Sequence, residues 1–564
     1  MKFNELRNRN DLASILKIPK NQFSYLLYKL NVNKQYEKFE IPKKSGGTRT
    51  IHSPNDRLKY IQKRLNEEIL NFIDDSDYPK SKISHGYEKG KSISTNASVH
   101  VKKRYVLNID IEDFFGSINF GRVRGFFNKN KFFSLPLEVS TIIAQICCKD
   151  GVLPQGAPTS PIISNLIGHT LDYRISILAK KYKMNYSRYV DDLTFSTNEK
   201  NFELYLENFL SEFDAHLNNA GFKRNKKKTR LQYKRSRQSV TGVIVNEDLS
   251  IPNDFYKNTR AMLNEFIKNE KFFIDKKDNY GTLNQLEGRL SYINHFEKMK
   301  NMRNAKNKEV NKKNHTKFST KEKEFKKFLF YKNFIINDKP LIITEGKTDV
   351  LYLKAALKNL HSEYPNLIEK KDNGNYDFKV KFFQRSKRNR YFFIISKDGA
   401  DAMKNLVDLF IDKRSNNVNE CVMTKIKTMR KTKALNPVIL LFDNEMVTDR
   451  PLKNFLNFIK ISPEDRLKFG LSLNTCISDN LFLLTNDIPL KKKDVGEAEI
   501  EDLLPENILN HVINGKMMNY TNGKDKQSIS KDFLSKYVVS NYEKINFDKF
   551  RPLLNSLNSI IENY

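Results

Sequence analysis

Tryptophan is absent from the 564 residues, and cysteine nearly so, with four in the whole chain (Cys147, Cys148, Cys421 and Cys476). So few thiols in so long a chain cannot staple a secreted scaffold. None sits in a CxxC or Cys/His zinc spacing, so reduced thiols of a cytoplasmic protein are expected. Long apolar runs are missing as well. The longest, such as Val438–Phe442 and Leu481–Leu484, fall far short of the ~20 residues that span a bilayer. The opening stretch MKFNELRNRNDLASILKIPK has no apolar h-region, so neither a signal peptide nor a membrane partner is expected. Acidic residues are the last shortage: 66 Asp+Glu against 99 Lys+Arg leave a formal charge of +33. A polyanion, nucleic acid before membrane, is the first partner that such a surface suggests. A Lys-, Asn- and Ile-rich chain is also what an AT-rich genome encodes without selection for binding. With 39% hydrophobic and 29% charged residues, real cores can form, and the length suits about three or four folding units.

Residues 11–75 read as helical at both ends, with a polar turn, Lys43–Thr48, between short extended runs, as in a β-hairpin. Arg104–Ile109 reads as a buried strand ending at Asp110. Helical periodicity at 137–147 and 160–182 flanks the turn Leu153-Pro154-Gln155-Gly156-Ala157-Pro158. Residues 186–196, YSRYVDDLTFS, read as a hairpin with an acidic tip, followed by a helix over 201–219. Residues 301–330 carry ten Lys/Arg against three Glu and read as a solvated linker or exposed helix. From Pro340 a βαβ pattern begins, with strands expected at 341–344, 391–395 and 437–442 and a helix over 350–360, as in a parallel α/β domain.

Chemistry concentrates at strand ends. Asp110 closes Val-Leu-Asn-Ile-Asp, and Asp191-Asp192 follow Tyr189-Val190. Carboxylates in such places suit Mg²⁺, a hard cation shared with substrate phosphates. Two ions ~3.5–4 Å apart can activate a hydroxyl and stabilise a leaving oxygen in phosphoryl transfer. Adjacent strand residues face opposite ways, so Asp191 and Asp192 can act together only if the chain turns at the pair. Taken alone, an Asp pair is usually a solvated turn.

The order Asp110, Pro154-Gln155-Gly156, Tyr189-Val190-Asp191-Asp192 resembles the reverse transcriptase family over roughly residues 10–295. The resemblance implies a right-hand polymerase of fingers, palm and thumb in which Asp110, Asp191 and Asp192 hold two Mg²⁺ ions. It implies Phe115 as the steric gate against a 2′-OH and Gln155-Gly156 in the nucleotide and template pocket. Arg49 and Lys228 would contact the triphosphate of the incoming dNTP and the departing pyrophosphate. Asn96-Ala97-Ser98-Val99-His100 and Val240-Thr241-Gly242 resemble the signatures of retron reverse transcriptases. That resemblance implies a cognate structured non-coding RNA copied into multicopy single-stranded DNA (msDNA), primed from the 2′-OH of a guanosine. It places Asn96, His100, Val240, Thr241 and Gly242 among the substrate-binding residues. No RNase H-like acidic cluster follows. Residues 222–237 hold nine Lys/Arg and no acid, and with Phe222 and Tyr233 they suit phosphate contact with stacking.

In the second half, Glu345-Gly346 follows a strand and Asp349 opens a helix, where open α/β sheets bind ligands. Asp443 and Glu445, at i and i+2 after Val438–Phe442, point to one side if the strand stays extended. Together they resemble a TOPRIM domain, closest to the overcoming-lysogenisation-defect type nucleases, with Glu445 where the family usually has Asp. The resemblance implies one or two Mg²⁺ ions on Glu345, Asp349, Asp443 and Glu445. Ser396–Gly399 and Glu501-Asp502 are further candidate loops, and Lys379–Arg390 is a basic path for a nucleic-acid target. The expected fold is thus multidomain α+β and α/β: a reverse transcriptase at 1–297, a basic linker at 298–334 and a TOPRIM effector with a C-terminal extension at 335–564. The fusion implies an antiphage toxin–antitoxin pair. A group II intron-like enzyme, a non-catalytic RNA scaffold, a second domain that is a non-catalytic or primase-like nucleic-acid-binding module, and a homo-oligomer stay open.

Overall fold

Helical spacing of Phe23, Leu26 and Leu27, and of Leu58, Ile61, Leu65 and Ile69, puts these side chains on the buried faces of α1 (Lys20–Tyr28) and α2 (Asp56–Asp75) in the computed structural model. The structure describes residues 2–43, 46–274, 279–306, 318–396, 399, 401–411, 421–430, 433–446, 450–509, 512–513, 516–517 and 531–564. Between α1 and α2 runs the antiparallel hairpin β1 (Tyr36–Pro42) and β2 (Thr48–Pro54); Lys44 and Ser45 of its expected turn lie outside the described residues. The Asn55 side chain then caps α2 by accepting from the Leu58 N–H (3.1 Å).

By compactness the chain divides into two units, Met1–Tyr256 with Phe296–Val310, and Lys257–His295 with Asn311–Tyr564. This differs from the boundaries read at 297 and 334. Residues 257–295 join the second unit because they pack on its first helices: Phe266 meets Tyr331 ring to ring (5.7 Å), and Glu287 pairs with Lys332 and Arg388.

The first unit centres on a sheet covered by helices. After α3 (Ile93–Ser98) come β3 (Tyr105–Glu112), α4 (Ser160–Lys181), β4 (Asn185–Tyr189), β5 (Asp192–Thr197) and α5 (Phe202–Asn219). Then follow β6 (Lys223–Arg224), β7 (Arg230–Tyr233) and the small hairpin β8 (Ser239–Val240) and β9 (Val243–Ile244). The sheet order is β4-β5-β3-β6, with β7 also on β3. Alternation sorts its faces. Leu107, Ile109, Leu193 and Phe195 enter the apolar core, so Asn108, Asp110, Asp192, Thr194 and Ser196 share the other face. The basic stretch 222–237 forms two short strands of this sheet, and Phe222 is core, 1% exposed and stacked on Phe114 (5.4 Å). The expected stacking role at Phe222 is therefore corrected. Arg122 covers the Phe222 ring (4.3 Å), and Arg224 is spent on Asp214 through two 2.7 Å hydrogen bonds.

The second unit contains α6 (Thr320–Phe330), β10 (Leu341–Thr344), α7 (Asp349–Asn359), β11 (Lys381–Phe382), α8 (Lys387–Phe393), β12 (Val438–Phe442), β13 (Asn474–Ser478), β14 (Leu481–Thr485) and α9 (Lys531–Ser540). Its sheet runs β11-β10-β12-β14-β13, parallel except for β13. All five residues of β12 are buried, as a central strand covered on both faces requires. Two expectations change here. Residues 320–330 are a helix capped by Ser319, with Phe325, Phe328, Leu329 and Phe330 buried; residues 307–317 lie outside the described set. The run 391–395, expected as a strand, ends α8 instead. Ser386 caps that helix, Phe392 and Phe393 are buried, and Phe392 packs edge-on to Phe325 (5.0 Å). The strand neighbouring β10 on that side is Lys381–Phe382.

Candidate active sites

Asp110 and Asp192 are register partners on β3 and β5, so both carboxylates emerge from one face of the sheet. The turn the pair requires is present. Tyr189 pairs with Asp192 across the β4–β5 hairpin, and the Ile111 N–H donates to the Asp191 carbonyl (3.0 Å). Val190 sits at φ 61°, costly for a β-branched residue, and neighbouring groups over-determine it. Gly86 lies against it so closely that a Cβ there would be 2.6 Å from Val190 Cγ2. Arg188 Nη1 donates to the Val190 carbonyl (3.1 Å). Arg188 is fully buried and forms a two-pronged pair with Asp172 of α4, 2.8 Å on each prong, while Nη1 also reaches Asn165 (3.3 Å). Arg188, Asp172 and Asn165 escaped the reading of the sequence. The available signal was an arginine on the inward parity of a strand and an aspartate inside an apolar helix, which must find each other if both are buried.

Asp192 keeps exposed surface at the start of β5, yet desolvation by its surroundings, reinforced by Asp191 and Asp110, pushes its carboxyl up to about 6, against Lys228 and Arg230. Asp191 is raised by the same burial and by Asp110, with Lys228 and Arg49 opposing. Three carboxylates therefore crowd one another. Lys228 Nζ bridges both Asp110 oxygens (3.1 and 2.9 Å), and Asn225 reaches Asp110 Oδ1 (3.3 Å). Arg49 is exposed on β2, and its charge acts on Asp191 and Tyr87. The Gln155 carbonyl accepts from the His52 N–H of β2 (2.8 Å). Gly156, at φ 118°, leaves no room for a Cβ, which would lie 2.8 Å from the His52 carbonyl. Phe115 is half-buried and edge-on to Phe114 (5.6 Å). Of these residues, Asp110, Asp191, Asp192, Lys228 and Arg49 act on one another directly through their charges.

The two signature segments do something else. Asn96 and His100 have no exposed surface. His100 Nδ1 bonds Ser196 Oγ (2.8 Å) and Nε2 bonds Ser187 Oγ (2.7 Å), while Ser187 Oγ donates to Asn96 Oδ1 (2.7 Å). The motif clamps α3 onto the strands that carry Asp191 and Asp192. Val240 is buried, and Thr241 (φ 47°) and Gly242 (φ 83°) form the two-residue turn of β8–β9. Positive φ at both positions is what a type I′ hairpin turn demands. Burial, then the charges of His85 and Lys103, lowers His100 to about 3. The unfolded chain takes up that proton near 6.5, so this contribution to stability is full above pH 6.5 and is lost as the pH falls toward 3. His100→Gln is expected to flatten that part of the profile in urea melts at pH 7 and pH 5. At pH 7 it should cost roughly 1–3 kcal/mol, because Ser187 and Ser196 lose a buried partner.

In the second unit, Glu345 and Asp443 follow the adjacent parallel strands β10 and β12, at the carboxyl edge where such sheets bind ligands. Asp349 opens α7 and accepts from the Gly346 N–H (2.8 Å). Burial, followed by Glu445 and Asp349, pushes Glu345 up to about 7, and its Oε2 is a buried acceptor with no hydrogen-bond partner among the described residues. Burial with Asp349, Glu501 and Glu345 holds Asp443 well above the usual carboxylate range, although the Ile500 N–H donates to it (2.8 Å). The chain bends after Asp443, with the Glu445 N–H on the Asp443 carbonyl (3.1 Å). Glu445 thus lies by Arg450 (3.3 Å) rather than continuing a straight strand. Glu501 is buried and pushed to about 7, and Lys531 of α9 bridges it (3.3 Å) to Glu499 (2.9 Å). Lys531 was not read from the sequence; its place at a helix start gave no sign of its partners. Lys397 and Asp398 of the candidate loop lie outside the described residues.

Residues 41–245 match the family described as reverse transcriptase (RNA-dependent DNA polymerase). Retron Mx65 reverse transcriptase of Myxococcus xanthus is 34% identical over 275 residues, 46% of this chain and 61% of that protein. Retron Ec86 reverse transcriptase of Escherichia coli is 33% identical over 261 residues, 46% of this chain and 78% of that protein. The chain belongs to the retron reverse transcriptase family. A solved telomerase of Candida tropicalis aligns at 15% identity over 40% of the retron reverse transcriptase chain and 56% of that one, with a TM-score of 0.30.

Among the described residues of this retron reverse transcriptase, no helix is long and apolar enough to cross a membrane. Nor do three or more His, Cys, Asp or Glu side chains come together in a group that could hold a metal ion. Mg²⁺ does not need so many protein ligands, since it keeps waters and shares substrate phosphates around one or two carboxylates. The mutually repelling Asp110, Asp191 and Asp192 fit that mode. So do Glu345, with its orphaned oxygen, and Asp443.

Proposed function

We propose that the first unit is an RNA-directed DNA polymerase that copies a cognate structured non-coding RNA into msDNA, primed from an RNA 2′-OH. The observation that carries this reading is the convergence of Asp110, Asp191 and Asp192 on one sheet face, held there by a strained, buttressed turn. These carboxylates would hold Mg²⁺, which supplies activation of the attacking hydroxyl and stabilisation of the leaving pyrophosphate. Gln155-Gly156, pinned to β2, orients the template base and the incoming dNTP. Phe115 bounds the sugar and excludes a 2′-OH. Arg49 and Lys228 bring positive charge to the triphosphate, and Lys228, which sits on both Asp110 oxygens, would share that carboxylate with Mg²⁺. The test is DNA synthesis by the purified chain on RNA transcribed from the DNA adjoining its gene. A Mg²⁺-dependent product joined to RNA through a 2′-linkage is expected; products only from added DNA primers would refute the retron priming.

The second unit, in the same proposal, is a TOPRIM-type metal-dependent nuclease that acts in antiphage defence and is restrained by the RNA–DNA product. Its support is the acidic edge of the parallel sheet, where Glu345, Asp349, Asp443 and Glu501 share one buried field. Glu345 and Asp443 would hold Mg²⁺, Asp349 fixes the Glu345-Gly346 turn, and Lys531 balances the excess charge. Glu345→Gln is expected to remove Mg²⁺-dependent cleavage of DNA or RNA while leaving DNA synthesis unchanged. Cleavage at the wild-type rate in that variant sinks the nuclease assignment.

A further inference from the structure

Between α1 and α2 lies a groove of about 710 Å³ that the polymerase chemistry leaves unused. Its size falls within the roughly 300–1,000 Å³ of ligand sites. Leu26 and Ile61 make an apolar floor, buried at 3% and 5% exposure. Tyr25 and Tyr60 form the walls, yet 52% and 54% of their surfaces are exposed. Lys17 and Arg57 stand exposed at the rim, and no Asp or Glu lines the groove. Tyrosine is intermediate in burial, so what marks the groove is that two rings share one apolar floor. Two tyrosines held open over an apolar floor beside two cations make a stacking platform with phosphate partners. The same pairing recurs just outside, where the Arg9 guanidinium lies over the exposed Tyr28 ring (5.6 Å).

Position selects the ligand. Helix α2 begins directly after β2, the strand whose His52 is bonded to Gln155 of the template and nucleotide turn. Arg57 and Tyr60 occupy the first turns of that helix, so a strand leaving the turn along β2 meets the groove next. Open rings favour unpaired bases over duplex, whose π-faces are already stacked. We infer that this groove binds the single-stranded template RNA ahead of the active site, with bases on Tyr25 and Tyr60 and phosphates on Lys17 and Arg57. The identity of the strand as RNA rests on the polymerase reading.

The test uses the full chain and an RNA template annealed to a short DNA primer, with 4-thiouridines in a long 5′ single-stranded overhang. A second template has that overhang cut to a few nucleotides. Photo-crosslinks from the long overhang are expected on the peptides carrying Tyr25 and Tyr60. Tyr25→Ala/Tyr60→Ala should weaken the long-overhang template roughly 30-fold, with binding and extension of the short one unchanged. Both rings are exposed, so the variant should keep the wild-type melting temperature. Crosslinks only elsewhere, or equal losses on the two templates, would overturn the inference. So would equal competition by single-stranded DNA of the same sequence, or RNA binding kept while the oligomeric state shifts, which would assign the groove to a second copy of the chain. If the wild type crosslinks there but extends neither template, the polymerase reading fails and the groove stands.

Discussion

Asp191→Asn combined with Asp192→Asn abolishes RNA-templated DNA synthesis, a loss of at least ~10³-fold when several kcal/mol of metal-borne charge stabilisation disappears. The fold should not suffer. Both carboxyls are raised above their ordinary range by desolvation and mutual repulsion, so the folded state pays to keep them ionised. A raised carboxyl costs stability as the pH climbs past its unfolded value, and neutral amides of the same shape remove that cost. The double variant is therefore expected to melt at or above the wild-type temperature at pH 7, while losing Mg²⁺-dependent incorporation of labelled dNTPs into DNA. A variant that keeps incorporation refutes the site. One that unfolds at 37 °C would instead show that the acids hold the hairpin together.

The parts of this site that were legible in the sequence are those whose chemistry is written in contiguous residues. Asp110 stands at the end of an alternating strand, Asp191-Asp192 follow an aromatic one, and the Pro-Gln-Gly turn announces itself through its backbone. Glu345 and Asp443 were readable for the same reason, because each closes an apolar run. What stayed hidden depends on partners far apart in the chain. Nothing local says that Arg188 will find Asp172, or that Lys531 will bridge Glu499 and Glu501, since an ion pair leaves no periodicity. The Asn96–His100 and Val240–Gly242 signatures were visible as patterns, but the partners that bury Asn96 and His100 were not. Their burial follows from Ser187 and Ser196 on the facing strands, polar positions on a covered face that require donors. The 391–395 run misled for a related reason: three aromatics in succession suit a strand, yet a capping Ser386 and the rings of α6 make the helix the better burial.

Arg188 carries the second large effect, and a pair of variants separates its two roles. Arg188→Met strands the Asp172 carboxylate in a site where the two side chains are 0% and 3% exposed. Removing one partner of such a pair typically costs about 3–5 kcal/mol, enough to unfold much of a marginal domain at 37 °C. Replacing both, Arg188→Met with Asp172→Leu, leaves no buried charge and is expected to regain most of that stability, because well-packed apolar substitutes for buried pairs are often neutral. Activity should not return with it. The donor to the Val190 carbonyl is still missing, and Val190 is held at φ 61° by that bond together with the close approach of Gly86. Without the bond the turn relaxes toward ordinary extended geometry. Asp191 and Asp192 then diverge to opposite faces of the strand, as neighbours on a β-strand must. The double variant is thus expected to melt close to wild type in urea yet synthesise DNA at least ~10²-fold more slowly, a difference of about 2.7 kcal/mol in transition-state stabilisation. Recovery of synthesis along with stability would mean that the buried pair only supports the core, and that the turn keeps its shape through Gly86 and the α3 clamp alone.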